Sequence, residues 1–127
     1  MRTTRRFQRE VPEIPRSRHF VAEVLRSHGA EPTDEVLLVA SELITNAVCH
    51  GNGDVELRVE VDGPTVRLEV LDEGHSEVAA PVVAPPPLAL GGRGLALVRE
   101  VSRRWGAGFD AAGRTMVWAE LMAAKEH

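Results

Sequence analysis

The spacing of hydrophobic residues changes along the chain and predicts different elements in different regions. Between residues 36 and 48 apolar side chains recur at helical intervals, so a helix from a Thr33 N-cap to His50 has one apolar face. From residue 55 to 70 apolar residues alternate with charged ones, as in strands with one face in water. The Asp62-Gly63-Pro64 sequence between them predicts a tight turn and therefore a hairpin.

The N-terminal region contains a weaker strand pattern and a shorter helix pattern. Residues 3–11 alternate weakly and are rich in arginine, which leaves either an edge strand or a disordered arm, and we favour the edge strand. Pro15 can open a helix at its first position, apolar residues follow at helical spacing, and Gly29 supplies a stop. We therefore expect a short helix with one buried face.

The C-terminal half contains a long segment without periodicity, followed by a helix and a strand. Residues 74–90 include four prolines and no periodic pattern, so they form either a functional lid or a disordered connection. Glycine-rich residues 91–94 lead into a helix whose apolar spacing continues to Trp105. A last strand is predicted over residues 115–121, with a frayed tail after it.

Length and composition are typical of a small single-domain protein. With 127 residues the chain can bury one core, so residues 1–127 are expected to form a single domain. The formal net charge of −4 gives no overall attraction to nucleic acid or to an anionic membrane. A lone cysteine excludes an internal disulfide, and no stretch has the length or apolarity of a signal peptide or membrane span. We therefore expect a soluble cytoplasmic protein that binds neither nucleic acid nor membrane.

Two polar residues lie at the border of the apolar face of the long predicted helix. Glu42 and Asn46 are four residues apart, which places them about 6 Å apart along the helix axis. A neutral amide oxygen is a hard ligand that suits a divalent metal, and a nearby carboxylate can accept a proton from water or an alcohol. The same pair is also compatible with the ordinary surface edge of a core helix.

A glycine-rich segment provides a second candidate site. Gly91-Gly92-Arg93-Gly94 opens onto a predicted helix, and free N–H groups at a helix N-terminus favour an anion such as phosphate. Glycines in that place are also common in simple loops. Two further motifs stand at strand boundaries, Asp72-x-Gly74 and Gly113-x-Thr115. We assign Trp105 and Trp118 to core packing rather than to stacking on a base.

Taken in order, these motifs closely resemble the Bergerat ATP-binding fold of gyrase-type, chaperone, histidine-kinase and mismatch-repair ATPases. The resemblance is carried by Ser-Glu-Leu-x-x-Asn-Ala-x-x-His-Gly at 41–51, Gly-Arg-Gly-Leu at 92–95 and Gly-x-Thr-x-x-Trp at 113–118. More narrowly, the chain is similar to the anti-sigma-factor serine/threonine kinases, RsbW-like in form. The resemblance covers residues 15–121. It implies an α+β two-layer sandwich with a mixed, mostly antiparallel sheet and three helices on one face.

The resemblance also implies a role for each motif residue. Asp72 would accept a hydrogen bond from the adenine amino group, Gly74 would leave room for the ring, and Thr115 would complete adenine recognition. Asn46 would hold Mg²⁺ against the triphosphate of ATP, and Glu42 would deprotonate the nucleophile. The remaining implied phosphate-binding residues are Gly92, Arg93, Gly94 and Leu95.

The implied function is that of an Mg²⁺- and ATP-dependent anti-sigma factor that is also a protein serine/threonine kinase. It would sequester a sigma factor and phosphorylate a small STAS-type anti-anti-sigma partner, and the resemblance leaves a homodimer open. An alternative is an ATP-gated regulatory binding module that transfers no phosphate. The catalytic piece of a histidine kinase is less favoured, because no dimerisation helix with a phospho-accepting histidine precedes the domain.

Overall fold

A computed structural model describes residues 2–73 and 93–125 of the chain. Within these residues three α-helices pack against a five-stranded β-sheet, and two very short strands form a second sheet. No helix of the described part is both long enough and apolar enough to span a membrane. The elements in chain order are β1 (Arg2–Phe7), α1 (Glu13–Ser27), β2 (Ala30–Glu31), α2 (Asp34–His50), β3 (Val55–Asp62), β4 (Thr65–Asp72), α3 (Arg93–Val101), β5 (Arg104–Phe109), β6 (Thr115–Met122) and β7 (Ala124–Lys125).

The five-stranded sheet has the order β1-β3-β4-β6-β5, and its neighbouring strands are antiparallel. The β3–β4 hairpin follows the predicted alternation and closes through Gly63 and Pro64. Gly63 has a φ of 55°, a left-handed conformation that glycine adopts without steric strain. β1 pairs with β3 at one edge of the sheet, which confirms the edge strand predicted for the N-terminal region.

All three helices cover the same face of the sheet. The central helix is α2, which packs against α1 and α3 and contacts β3, β4 and β6. Leu43 and Ile44 of α2 share one hydrophobic core with Leu57 and Leu68 of the hairpin, and all four are almost fully buried. Each such side chain contributes about 1.5–3 kcal/mol through burial, so the core holds α2 firmly on the sheet. The predicted α+β sandwich with its helices on one face is confirmed.

Both ends of α2 are set by the residues that the sequence indicates. The Thr33 hydroxyl accepts a hydrogen bond from the N–H of Val36 at 3.2 Å and caps the helix. At the other end Gly51 donates its N–H to the carbonyl oxygen of Ala47 at 2.8 Å and then leaves the helix. The bounds of this 17-residue helix therefore agree with the prediction.

Helix α3 is shorter than its apolar spacing predicts. It ends at Val101, and Trp105 lies in β5. The chain has already joined the sheet before Trp105, because the N–H of Arg103 donates to the carbonyl oxygen of Glu120 at 2.8 Å. Trp105 fits the helical spacing by coincidence: Val98 enters the core from the helix, and Trp105 packs against the same core from the strand.

The chain after β6 is held by the second, smaller sheet. Ala124 and Lys125 form β7, which pairs antiparallel with β2. The N–H of Ala123 also donates to the carbonyl oxygen of Pro64 at 2.7 Å. The prediction of a frayed tail is therefore wrong for these residues. Strands of two residues carry almost no periodic pattern, so neither β2 nor β7 is recognisable from the sequence.

The face of the sheet opposite the helices carries a continuous chain of ion pairs. Trp118 lies on this face opposite Glu69, and the Arg67 guanidinium carbon is 4.2 Å from the centre of its ring. The assignment of Trp118 to the core is therefore wrong. We refer to this series of linked side chains as the ion-pair chain. Each side chain lies 2.7–3.6 Å from the next, nitrogen to oxygen, in the order Asp110, Arg114, Glu56, Arg58, Glu69, Arg67, Glu120 and Arg104.

Candidate functional site

The polar border of α2 lies beside the core. Glu42 and Asn46 are both half-buried and stand one helical turn apart, next to the buried Leu43 and Ala47. These core residues fix the rotation of α2 against the sheet, so they also fix where the border residues lie. The carboxylate and the amide that the sequence indicates are thereby held in defined positions on one helix.

The amide oxygen of Asn46 is buried and has no hydrogen-bond partner among the described residues. Leaving such an atom unpaired costs about 1–3 kcal/mol. A neutral hard oxygen without a protein partner suits a divalent cation or one of its bound waters, so Asn46 fits a metal ligand. The described part of the chain offers no cluster of three His, Cys, Asp or Glu side chains. A metal at Asn46 would therefore not be held by a preformed cluster of such side chains within the described residues.

Asp72 stands at the end of β4, an inner strand of the sheet, and is only 9% exposed. Its register partner is Thr115, the first residue of β6. The antiparallel pairing of β4 with β6 thus brings together two residues that are far apart in the chain. A carboxylate and a hydroxyl in adjacent positions offer hydrogen-bonding groups to a ligand at this end of the sheet.

The turn before Thr115 is held by hydrogen bonds to Asp110. This carboxylate accepts from the backbone N–H groups of Ala112 at 3.0 Å and Arg114 at 2.8 Å, and the Arg114 guanidinium also binds it. Burial alone would raise the pKa of Asp110, but the hydrogen bonds and charge of Arg114 hold that pKa below its ordinary value of 3.8. Arg114 also reaches Glu56 at 3.0 Å, so the start of β6 is fixed from both sides.

A glycine connects the long helix to the buried carboxylate. A β-carbon at position 51 would lie 2.6 Å from Oδ2 of Asp72 and 2.5 Å from the carbonyl oxygen of Ala47. Any residue larger than Gly51 would therefore displace the carboxylate or the end of the helix. From the sequence Gly51 is recognisable only as a helix stop, because a glycine after a helix looks the same whether it ends the helix or makes room for a neighbour.

The start of α3 is the third part of the site. The helix begins at Arg93, so the N–H groups of Arg93, Gly94 and Leu95 lie in its first turn, where no intrahelical carbonyl is available. Such N–H groups and the helix dipole favour an anion. Because α3 packs against α2, this helix end belongs to the layer that carries Glu42 and Asn46.

Two of the predicted site residues, Gly74 and Gly92, lie outside the described residues, as does the predicted lid over residues 74–90. The other predicted residues form groups on α2, at the start of α3 and at the adjoining ends of β4 and β6. Gly51 joins the first group to the last, because it ends α2 and lies against Asp72.

The sandwich with three helices on one face of its sheet, a polar border on the central helix and a buried aspartate at the end of an inner strand agree with the Bergerat class of ATP-binding domains. The family model of the histidine kinase-like ATPase domain matches residues 7–119. This match covers most of the chain, and the chain belongs to that family. No curated relative matches the chain significantly.

Proposed function

We propose that this chain is an Mg²⁺- and ATP-dependent protein serine/threonine kinase and an anti-sigma factor. It sequesters a sigma factor and phosphorylates a STAS-type anti-anti-sigma protein. The observation that carries the proposal is the buried Asn46 oxygen, which has no partner in the described residues and lies one helical turn from Glu42. An amide oxygen that suits a metal and a carboxylate that can accept a proton thus lie one helical turn apart in a member of an ATPase family.

Asp72 and Thr115 recognise the adenine ring in this proposal. The ionised carboxylate accepts a hydrogen bond from the 6-amino group, and the hydroxyl binds the ring directly or through water. The support is their position, because the two residues are register partners and Asp72 is buried. A site built around a carboxylate acceptor favours a ligand that brings a matching donor.

The triphosphate binds beside α2, at the N-terminus of α3. The amides of Arg93, Gly94 and Leu95 bind phosphate oxygens, as the first turn of a helix favours. Asn46 is the residue that would hold Mg²⁺ there. When bound, Mg²⁺ would supply positive charge that offsets the negative charge developing during transfer.

Glu42 acts as the general base. The serine or threonine hydroxyl of the partner attacks the γ-phosphorus, the bond from that phosphorus to the β–γ bridging oxygen breaks, and ADP leaves. The hydroxyl proton passes to the Glu42 carboxylate. This carboxylate is half-buried, so it remains accessible from solvent, as proton transfer from a protein partner requires.

The partner classes follow from the resemblance of residues 15–121 to the anti-sigma-factor kinases. A sigma factor and a STAS-domain protein are the partners to test, and the proposed role with them is a cytoplasmic one. The proposal includes no binding to nucleic acid or membrane. The competing function is an ATP-gated binding module, which uses the same nucleotide-binding residues and transfers no phosphate.

The test is the transfer of labelled γ-phosphate from ATP to purified STAS-domain proteins encoded near the gene. We expect phosphoserine or phosphothreonine on one of them in the presence of Mg²⁺ and none after chelation of the metal. Binding of each candidate to the chain is measured separately. Absence of transfer to candidates that do bind would contradict the kinase and support the ATP-gated module.

A further inference from the structure

The loop between α2 and β3 is fastened to the end of β4, the strand that carries Asp72. The N–H of Glu73 donates to the carbonyl oxygen of Asn52 at 2.8 Å. The N–H of Asp54 donates in turn to Oε2 of Glu73 at 3.1 Å. One residue after the strand thus binds the loop through both its backbone and its side chain. We refer to residues 51–54 as the clamp loop.

Two glycines allow the clamp loop to approach β4 this closely. Gly53 has a φ of 66°, and a β-carbon there would collide with the Glu73 carboxylate. Gly51 has a φ of −87°, which any residue adopts, so the requirement for glycine is purely steric at that position. Its β-carbon would lie 2.6 Å from Oδ2 of Asp72. The backbone of the loop therefore lies directly against two carboxylates.

The contacts of the clamp loop have two distinct effects on Asp72. Gly51 lies behind the Asp72 carboxylate and limits the directions in which the carboxylate can turn. Glu73 and Gly53 hold the loop in the place from which Gly51 acts. Glu73 is exposed, so its contribution comes from these hydrogen bonds rather than from burial in the core.

We propose that the clamp loop and Glu73 aim the Asp72 carboxylate at the adenine amino group. Gly51, Gly53 and Glu73 are then positioning residues, which act on the nucleotide through Asp72. This inference rests on the proposed role of Asp72 in adenine recognition. Loosening the loop therefore weakens recognition of the amino group in particular, rather than nucleotide binding as a whole.

Recognition of the amino group is isolated by comparing ATP with purine riboside triphosphate, which lacks only that group. A site built to bind a donor rejects the analogue without it, so we expect the wild type to bind ATP at least about tenfold more tightly. The ratio of the dissociation constants of purine riboside triphosphate and ATP measures how well the Asp72 carboxylate is oriented toward the amino group. A general loss of stability or of phosphate binding changes both constants alike.

The first test replaces the side chain that holds the loop. Glu73→Ala removes the acceptor for the Asp54 N–H, whereas Glu73→Gln keeps a carbonyl oxygen for it. We expect Glu73→Ala to lower the preference for ATP to about threefold or less, and Glu73→Gln to retain most of it. Thermal melting checks that both variants fold. A wild-type preference in Glu73→Ala would overturn the proposal.

The second test uses two glycines that both have a positive φ. Gly53 and Gly63 have φ values of 66° and 55°, so Gly53→Ala and Gly63→Ala carry similar backbone strain. Only the first places its new methyl group against Glu73, since no described atom lies within 4 Å of a β-carbon at Gly63. We expect Gly53→Ala to lose the preference for ATP and Gly63→Ala to keep it. Equal preference in the two variants would contradict the clamp.

The outcomes separate this inference from the proposed function. If the wild type binds neither nucleotide, the proposed function is wrong and the role of the clamp loop falls with it. If the wild type prefers ATP and that preference survives both Glu73→Ala and Gly53→Ala, adenine recognition stands and only the clamp is wrong.

Discussion

Two regions of this protein place polar groups beside the core, and their hydrogen bonding differs. On the open face of the sheet, every carboxylate of the ion-pair chain has an arginine within 3.6 Å. On α2, the buried oxygen of Asn46 has no partner among the described residues. The first arrangement is satisfied within the described residues, whereas the second leaves an oxygen for which those residues offer no donor.

This difference separates groups that stabilise the fold from a group that no described residue stabilises. Burial would lower the pKa of Arg67, but its hydrogen bonds to Glu69 and Glu120 outweigh burial and raise that pKa above its ordinary value. The folded state therefore favours the charged form of Arg67. The Asn46 oxygen, for which the described residues offer no donor, opposes folding instead. A polar group retained against stability at the border of the core is expected to have a function.

The largest expected effect concerns phosphoryl transfer. A positioned base contributes about 10²–10⁴-fold, so Glu42→Ala should lose that factor in the rate of transfer and keep its affinity for ATP. Labelled ATP with a STAS-domain partner measures the first quantity, and calorimetric titration measures the second. Glu23→Ala is the control, because Glu23 is an exposed residue of α1. Transfer at the wild-type rate by Glu42→Ala would show that another residue is the base.

The next effect concerns adenine recognition. Asp72→Asn exchanges an acceptor oxygen for a donor, and a mispaired buried polar group costs about 1–3 kcal/mol. The dissociation constant of ATP should therefore rise roughly tenfold or more in a calorimetric titration. Asp62→Asn makes the same exchange at the exposed end of β3 and should have no effect. An unchanged affinity in Asp72→Asn would remove this residue from the adenine site.

A substitution on the open face of the sheet should change the free energy of unfolding and leave the affinity for ATP unchanged. Arg67 joins Glu69 and Glu120, each at 2.7 Å, and lies over the Trp118 ring. Arg67→Ala should lower the free energy of unfolding by about 1–2 kcal/mol in urea, with unchanged affinity for ATP. Arg2→Ala, on the exposed edge strand, should change neither quantity. A loss of ATP affinity in Arg67→Ala would break the distinction between the two regions.

The smallest expected effect is the pH dependence of the ion-pair chain. Burial would raise the pKa of Glu56, but hydrogen bonds from Arg114 and Arg58 hold that pKa below its ordinary value of 4.5. A carboxyl with a lowered folded pKa contributes stability that is complete above its unfolded pKa and is lost as the pH falls through the folded one. In urea unfolding from neutral pH to about pH 3, Glu56→Gln should therefore lose less stability than the wild type. Parallel loss in the two proteins would contradict the role of Glu56.

Elements with long regular patterns are predictable from this sequence. The 17-residue helix α2 and the β3–β4 hairpin follow directly from periodicity and from the residues at their ends. The C-terminal end of α3 cannot be predicted in this way. Trp105 continues the helical spacing of apolar residues, although it already pairs with β6 in the sheet. The prediction that Trp118 packs in the core is wrong for a related reason. This large apolar side chain lies on the charged face of the sheet, where flanking arginines stabilise it.

The candidate site is predictable in its residue types and only partly in its geometry. The relation between Glu42 and Asn46 follows from the sequence, because both lie on one helix. The pairing of Asp72 with Thr115 depends on the register of two strands that are distant in the chain. The position of Gly51 against Asp72 depends on how the clamp loop packs, and no local pattern encodes such a contact.

The Asn46 oxygen has no partner among the described residues, and the proposed function assigns it to Mg²⁺ bound with ATP. The most direct test titrates ATP into the wild type and Asn46→Ala, with and without Mg²⁺. The wild type should bind more tightly with the metal, and Asn46→Ala should lose that gain and bind Mg²⁺-ATP at least about tenfold more weakly. Its unfolding free energy without nucleotide should be equal or higher, because an unpaired buried oxygen is removed. Equal affinity of the two proteins for Mg²⁺-ATP, or no binding by the wild type, would contradict the account.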